Sequence, residues 1–279
     1  MADSTGLTLL ALGTAGAYRA HPGARGSGYL VRFGARCVVL DLGHGAYVPL
    51  AAEIGIGALA GLDAVCVTHL HPDHWVDLVA LRHALVHGAA LDQGDAPRNR
   101  DRLLVAAPDG LAARLATLLD ARSPASQARG AEERPDPFDV RTWSALGHSV
   151  EVGAVAIRAH RVRHADESYA LRVSVDGARG ERPGLVFSGD LSHWEDVVPL
   201  VRPGDTLLCE ATLGAAPWSD AATHVNAEGA GRAATAGGAA RLLLTHLGAE
   251  VDARDAVAAA ARTFRGEVRL LTEGDALAI

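Results

Sequence analysis

Four side chains able to bind a metal ion fall within six residues: His69, His71, Asp73 and His74, in the run Thr68-His69-Leu70-His71-Pro72-Asp73-His74. On extended backbone the side-chain period is two, so His69 and His71 are expected to project to the same side. Asp73 and His74 then fall at the turn into the next helix, where the chain can fold them back. One strand-to-helix turn can thus present imidazoles to one cation and a carboxylate plus an imidazole to a second. Neutral imidazoles and carboxylates suit zinc, manganese or iron. A polar turn with coincidental histidines is the plain reading of a single histidine. It is a poor account of H-x-H-x-D-H behind a buried strand.

The elements that must position this run are read from hydropathy. Leu7–Leu12, Tyr29–Phe33 and Cys37–Leu42 are strand-like, the last two joined by Gly34-Ala35 as a hairpin turn. A helix is expected near Val48–Ile54 and a strand over Ala64–Leu70. The next helix has Val76, Val79, Ala80 and Leu85 on its apolar face and stops at Gly88. Leu103–Ala106 reads as a strand and Gly110–Ala121 as a helix, between two polar loops, Asp92–Arg102 and Ser123–Pro137. The second half restarts the pattern with strands at Val155–Val162, Tyr169–Val175, Gly184–Phe187 and Thr206–Cys209. Helices over Ala227–Ala236 and Ala253–Phe264 enclose the strand Arg241–His246, and Val268–Leu271 and Ala276–Ile279 close the chain. Strands followed by helices in both halves predict sheets covered by helices, with residues 1–279 forming one domain.

Composition narrows the function. The chain has 279 residues, 49% hydrophobic, and no run of 18 apolar residues, so no membrane span is expected. A net charge of −7 argues against long nucleic acid as the main partner. All 26 basic residues are arginine, which removes lysine Schiff-base and Walker-type chemistry. The opening MADSTGLTLLALG does not read as a secretory signal, and Cys37, Cys66 and Cys209 form no disulfide framework. A cytoplasmic setting is therefore expected.

H-x-H-x-D-H is the signature by which this chain resembles the metallo-β-lactamase fold superfamily. That family's later ligands are a His after a strand, an Asp in a Gly-Asp turn and a His closing a strand near the C-terminus. Val162-Arg163-His164, Phe187-Ser188-Gly189-Asp190 and Leu243-Leu244-Thr245-His246 stand here in that order. The resemblance implies an α/β, four-layer αβ/βα sandwich, two mixed sheets flanked by helices, with the ligands at loop ends along one edge. It also implies that His69, His71 and His164 hold one divalent ion and Asp73, His74 and His246 a second, with Asp190 bridging them. Zinc is the expected metal, and manganese or iron would fit the same ligands. His160 competes with His164, which the stretch HADESYALR favours.

Local motifs resemble the ribonuclease Z and bacterial cyclic-nucleotide phosphodiesterase branch. These are Leu208-Cys209-Glu210-Ala211-Thr212, Thr223-His224-Val225-Asn226, the opening Leu12-Gly13-Thr14-Ala15-Gly16, and Asp41-Leu42-Gly43, read as support behind the ligands. Only 25 residues separate His164 from Asp190, too few for the tRNA-clasping arm of typical ribonuclease Z, and Leu191 stands where the branch usually has Thr. Ser192 is a candidate for the missing hydroxyl. The resemblance implies a dinuclear-metal hydrolase, a phosphodiesterase on a small substrate such as a 3′,5′-cyclic nucleotide. Two metals would lower the pKa of water to near neutrality, and Asp73, as a ligand, would orient the hydroxide so formed. His224, with an ordinary imidazole pKa of about 6.5, is the candidate general acid. Glu210 either holds its tautomer or caps a strand end.

The rival readings are a ribonuclease Z-like RNA 3′-end endonuclease, a lactone, ester or thioester hydrolase of the same fold, and a metal-dependent binding module without turnover. Resemblance to this branch, whose members commonly dimerise, implies a homodimer as one possible assembly. His83 and His87, four apart on a helix, read as a helix face, and His44 as a residue of the pocket rim. Arg161 and Arg163 read equally as phosphate-facing or solvated.

Overall fold

The computed structural model describes residues 6–19, 21–88, 102–119, 136–177 and 180–279. In the N-terminal half, β1 (Thr8–Gly13), β2 (Gly28–Phe33), β3 (Arg36–Leu42), β4 (Ala64–Cys66), β5 (Leu103–Ala107) and β6 (Phe138–Thr142) form one sheet, joined at its edge by β15 (Ala276–Ala278). Its order is β15-β1-β2-β3-β4-β5-β6. The second half contains β7 (Ser149–Val152), β8 (Val155–Val162), β9 (Ser168–Gly177), β10 (Gly180–Glu181), β11 (Leu185–Phe187), β12 (Thr206–Glu210), β13 (Arg241–Thr245) and β14 (Glu267–Leu270). Its order is β14-β13-β12-β11-β9-β8-β7, with β10 paired to β9. Both sheets are mixed. β3 to β6 run parallel in the first and β11 to β14 in the second, while the flanking strands are antiparallel.

Two-residue alternation builds the layers. On β3, Val38 and Leu40 enter the core between the sheets and Val39 packs on the opposite face, where Leu42 joins it because the left-handed Asp41 breaks the alternation. There they meet α1 (Tyr47–Ile54), α3 (Leu78–His87) and α4 (Leu111–Leu119) through Leu50, Leu78, Leu81 and Leu111. On β12 and β13, Leu208 and Leu243 face the inter-sheet core, and Leu207, Cys209, Leu242 and Leu244 face outward. These outward residues are covered by a 3₁₀ segment, Trp194–Leu200, by α5 (Ala227–Gly237) and by α6 (Ala253–Ala261). Helix, sheet, sheet and helix thus stack around three apolar layers, the four-layer sandwich that the resemblance implied. Among the described residues, no helix is long and apolar enough to cross a membrane.

Several boundaries differ from the expectation. The strand expected over Ala64–Leu70 ends at Cys66, and the single helix expected after it is two, α2 (Pro72–Trp75) and α3. The carboxylate of Asp77, at the break, accepts from Tyr47 N at 2.9 Å. β6, β7 and the 3₁₀ turns Ile56–Gly61 and Trp194–Leu200 were not anticipated. The polar loops expected at Asp92–Arg102 and Ser123–Pro137 lie outside the described residues except for Arg102, Asp136 and Pro137.

One buried ion pair pins the second sheet. Arg172 Nε and Nη2 reach Asp205 Oδ2 and Oδ1 at 2.8 and 3.0 Å, with both side chains almost fully buried. Asp205 also accepts from Gly184 N and Arg202 N, so the start of β12 is tied to β9 and to the turn before β11. Removing the carboxylate takes its countercharge from a buried guanidinium, which costs about 3–5 kcal/mol. Asp205→Ala is therefore expected to lower the unfolding free energy by that amount, seen as a lower denaturant midpoint with an unchanged slope. A loss under 1 kcal/mol in an equilibrium urea titration would contradict this account.

Candidate metal centre

The site lies at the carboxyl ends of the parallel strands, where loops from both sheets converge. After β4 the chain gives up strand pairing, but its backbone groups remain satisfied. Val67 N donates to Ala106 O, and Val67 O accepts from the Trp143 indole at 2.9 Å. Thr68 N donates to Asp41 Oδ1 at 2.7 Å, and Leu70 O accepts from the Trp75 indole at 3.1 Å. A side-chain carboxylate has replaced a strand partner, and this ends β4 early. His71, extended at φ −72° and ψ 140°, then caps the short helix that carries Asp73 and His74. The rings of His69 and His71 still meet, with centroids 4.6 Å apart.

Backbone geometry around the run is costly and specific. Asp41 and His246 both adopt left-handed conformations, φ 54° and 56°, which non-glycine residues rarely hold unless the surroundings enforce them. Gly43 passes so close to the run that a Cβ there would lie 1.8 Å from Asp73 O.

Three overlapping donor sets result: His69, His71, His164 and Asp190; Asp73, His74 and His246; and Asp190, His224 and His246. Within each set the ligand atoms lie within 4.8 Å of one another. Asp190 has one oxygen toward each side. Its Oδ2 is 3.7 Å from His69 Nε2, and its Oδ1 is 3.5 and 3.7 Å from His74 Nε2 and His246 Nε2. His164 Nε2 lies 3.4 Å from His71 Nδ1, and His164 Nδ1 lies 2.9 Å from Thr223 O. His164, not His160, is the histidine in these sets.

The buried Nε2 atoms of His69 and His74 have no hydrogen-bond partner. A buried, unpaired imidazole nitrogen is costly unless a cation takes its lone pair. The opposite nitrogens are held: His74 Nδ1 pairs with Asp41 Oδ2 at 2.7 Å, and His69 Nδ1 is 3.2 Å from the Thr68 hydroxyl. Such outer partners are what orient imidazoles toward a metal. The residues present therefore fit divalent ions.

Electrostatics agree. Burial, with His74 nearby, pushes the His69 imidazole well below its ordinary pKa, leaving it neutral as a ligand must be. Burial also opposes charge on His74, but Asp190 and Asp41 outweigh it and hold His74 well above the usual value. Burial raises the Asp190 carboxyl, yet His246 and His74 overcome it and keep Asp190 well below the usual range. The centre is thus a buried pair of carboxylates, Asp73 and Asp190, that calls for positive charge.

A cavity of about 500 Å³ opens over the centre, lined by His71, Asp73, Asp190, His224 and His246, with His44 and the exposed Tyr18 also on its wall. His224 Nδ1 is 3.0 Å from Glu210 Oε1 and 3.8 Å from Asp190 Oδ2. Burial alone would lower His224, but Glu210 and then Asp190 raise it to about 9, a correction to the ordinary value expected from sequence. Glu210 is fully buried and partnered by His224.

Other candidates lie elsewhere. The Ser192 hydroxyl donates to Arg163 O at 3.1 Å, Arg163 pairs with Asp196 at 2.7 Å, and Arg161 lies 3.7 Å from Glu167. His83 and His87, with rings 4.6 Å apart, line a separate groove on the α3 face. Sequence reasoning assigned no role to Thr68, Thr212 or Asp166. Asp166 stands 3.5 Å from His71 Nε2, two residues past His164. Thr212 had a visible signal only as the last residue of Glu210-Ala211-Thr212.

Residues 39–247 match the family model of the Beta-lactamase superfamily domain. The chain belongs to this superfamily. A β-lactamase-superfamily architecture with these donor sets makes the protein a metallo-hydrolase of that fold, with His and Asp clusters able to bind metal. The chain is 32% identical over 257 residues to the uncharacterized protein ML1173 of Mycobacterium leprae, covering 91% of this chain and 82% of that one. It is 28% identical over 262 residues to the probable metallo-hydrolase YhfI of Bacillus subtilis, covering 93% and 96%. The crystal structure of YhfI superposes with a TM-score of 0.80 at 24% identity, over 98% of this chain and 100% of that one. Ribonuclease Z of Mycobacterium bovis is 30% identical over 194 residues, 67% of this chain and 64% of its own length.

Proposed function

We propose that this protein is a dinuclear-metal phosphodiesterase acting on a small diester such as a 3′,5′-cyclic nucleotide. His69, His71 and His164 would hold one ion, Asp73, His74 and His246 the other, and Asp190 both. Zinc, manganese and iron suit this donor set. Such ions supply Lewis acidity, lowering the pKa of water and neutralising charge on phosphoryl oxygens.

The observation that carries the phosphodiester reading is the His224–Glu210 pair at the cavity wall. Cleavage of an alkyl phosphodiester expels an alkoxide, which needs a proton. His224 keeps Nδ1 on Glu210, so Nε2 is the atom that would deliver that proton to the leaving oxygen. Its raised pKa keeps it charged through neutrality, as a general acid must be. Asp73, on the cavity wall and 3.2 Å from His246 Nε2, would orient the attacking water and draw on its proton. As the P–O bond to the water forms, the P–O bond to the leaving group breaks, and His224 is left neutral.

The small-substrate reading rests on shape. The span from His164 to Asp190 is taken up by β9, β10, β11 and their connections, with no room for a long arm to clasp RNA. The 500 Å³ cavity suits a mononucleotide-sized ligand. Initial rates on metal-quantified protein should show turnover of cyclic AMP and bis(p-nitrophenyl) phosphate, both lost in Asp73→Ala by about 10³-fold or more. Turnover confined to a lactone or thioester in the same panel would replace this reading with acyl hydrolysis. Salt-sensitive cleavage of a tRNA precursor alone would favour the ribonuclease.

A further inference from the structure

Glu210 does more than hold His224. Its Oε1 accepts from His224 Nδ1 and, at 2.9 Å, from Leu191 N, the residue after Asp190. Its Oε2 accepts from Thr212 N at 3.2 Å and from the Thr212 hydroxyl at 2.5 Å. The same hydroxyl oxygen lies 2.9 Å from His246 Nδ1 and 2.9 Å from His246 O. One buried carboxylate therefore touches the acid, the Asp190 loop and, through one oxygen atom, the last candidate ligand.

The protons can be assigned. A threonine hydroxyl has one hydrogen and can accept on its lone pairs. The shorter contact, to a carboxylate, takes that hydrogen, because charge-assisted bonds are the shorter and stronger ones. The lone pair facing His246 then accepts, so Nδ1 must carry the imidazole proton. His246 Nε2, 3.2 Å from Asp73 Oδ2 and 3.7 Å from Asp190 Oδ1, is left to present its lone pair to a cation.

The other half of the site has the same arrangement. Asp41 bonds His74 Nδ1 directly and reaches His69 Nδ1 through the Thr68 hydroxyl, which donates to Asp41 Oδ2 at 2.9 Å and lies 3.2 Å from that nitrogen. In that half the Nε2 atoms of both histidines are the buried, unpartnered ones. Each sheet thus contributes one buried carboxylate that holds one imidazole directly and another through a threonine.

We infer that Thr212 is a positioning residue: its hydroxyl fixes His246 as the Nδ1–H tautomer and makes Glu210 serve the second metal half-site and the general acid together. The inference rests on the metal centre proposed above and not on which ester is cleaved. Thr212→Val keeps the shape and removes the hydroxyl, whereas Thr212→Ser keeps it. In zinc-loaded protein competed with a chelator, Thr212→Val should release the weaker-held ion 10–100-fold more readily, the usual size of such outer-partner losses. Thr212→Ser should hold both ions like the wild type. In ¹⁵N-histidine spectra of zinc-loaded wild-type protein, His246 should carry its proton on Nδ1, a readout that needs no mutant to fold. Equal zinc retention in Thr212→Val and wild type, equal loss in Thr212→Ser and Thr212→Val, or a proton-free Nδ1 on His246 would each overturn the inference. These readouts use no substrate, so failure of cyclic AMP turnover would count against the phosphodiesterase alone.

Discussion

Replacing Asp190 with Asn should abolish turnover while leaving the fold intact. Asp190 places a carboxylate oxygen within 3.8 Å of four imidazoles, those of His69, His74, His224 and His246. Asparagine keeps the shape and hydrogen-bonding reach but removes the charge that two of the three donor sets share. In the centre proposed above, two cations would lose the carboxylate that reaches toward both, leaving Asp73 as the remaining anion among imidazoles to offset their repulsion. The expected result is zinc content falling from about two to about one per chain, with kcat/KM down at least 10³-fold, about 4 kcal/mol of transition-state stabilisation. The metal-free protein should stay folded, because the three apolar layers and the Arg172–Asp205 pair do not involve Asp190, but it should melt lower, since buried His74 and His246 lose a countercharge. An Asp190→Asn protein that keeps two ions and wild-type turnover would remove Asp190 from the centre. Loss of the folded state in the circular dichroism spectrum would make it a structural residue instead.

The sandwich and most candidate ligands were legible because both leave short-range signals. An unbroken apolar run such as Val38-Val39-Leu40 marks a strand with two buried faces, and H-x-H-x-D-H packs four donors into one turn. What stayed hidden depends on partners far away in sequence. β4 stops at Cys66 because the Asp41 carboxylate, 27 residues earlier, captures Thr68 N, and an apolar run cannot show that. The ion pair of Arg172 with Asp205, 33 residues later, leaves no short-range trace in the sequence. β6 and β7 carry mixed, half-buried patterns, so their hydropathy resembled loops. Thr212 was visible, but its hydroxyl has meaning only beside His246, 34 positions on. His224 was read with an ordinary pKa because the sequence offered its pairing with Glu210 as one of two readings and could not show that carboxylate fully buried against it.

The His224–Glu210 pair should reveal itself through the leaving group and through pH. A general acid contributes about 10²–10⁴-fold where the leaving group needs a proton. His224→Ala should therefore cut kcat on cyclic AMP by that range, because its ribose oxygen leaves as a strongly basic alkoxide. On bis(p-nitrophenyl) phosphate the loss should be under about tenfold, since p-nitrophenolate leaves as a stable anion and little proton transfer is needed. Burial lowers the His224 pKa, and Glu210 with Asp190 more than reverses this, to about 9. A raised pKa means that the active, protonated form persists through neutrality and is lost as pH rises through about 9. The alkaline limb of kcat for cyclic AMP should fall there. Glu210→Gln keeps a hydrogen-bond acceptor for Nδ1 but removes the negative charge, so the limb should move toward the ordinary imidazole value of about 6.5. A Glu210 that merely braces the end of β12 would lower rates at every pH equally and leave the limb in place. Equal losses on both diesters in His224→Ala would likewise assign His224 to binding rather than to proton donation.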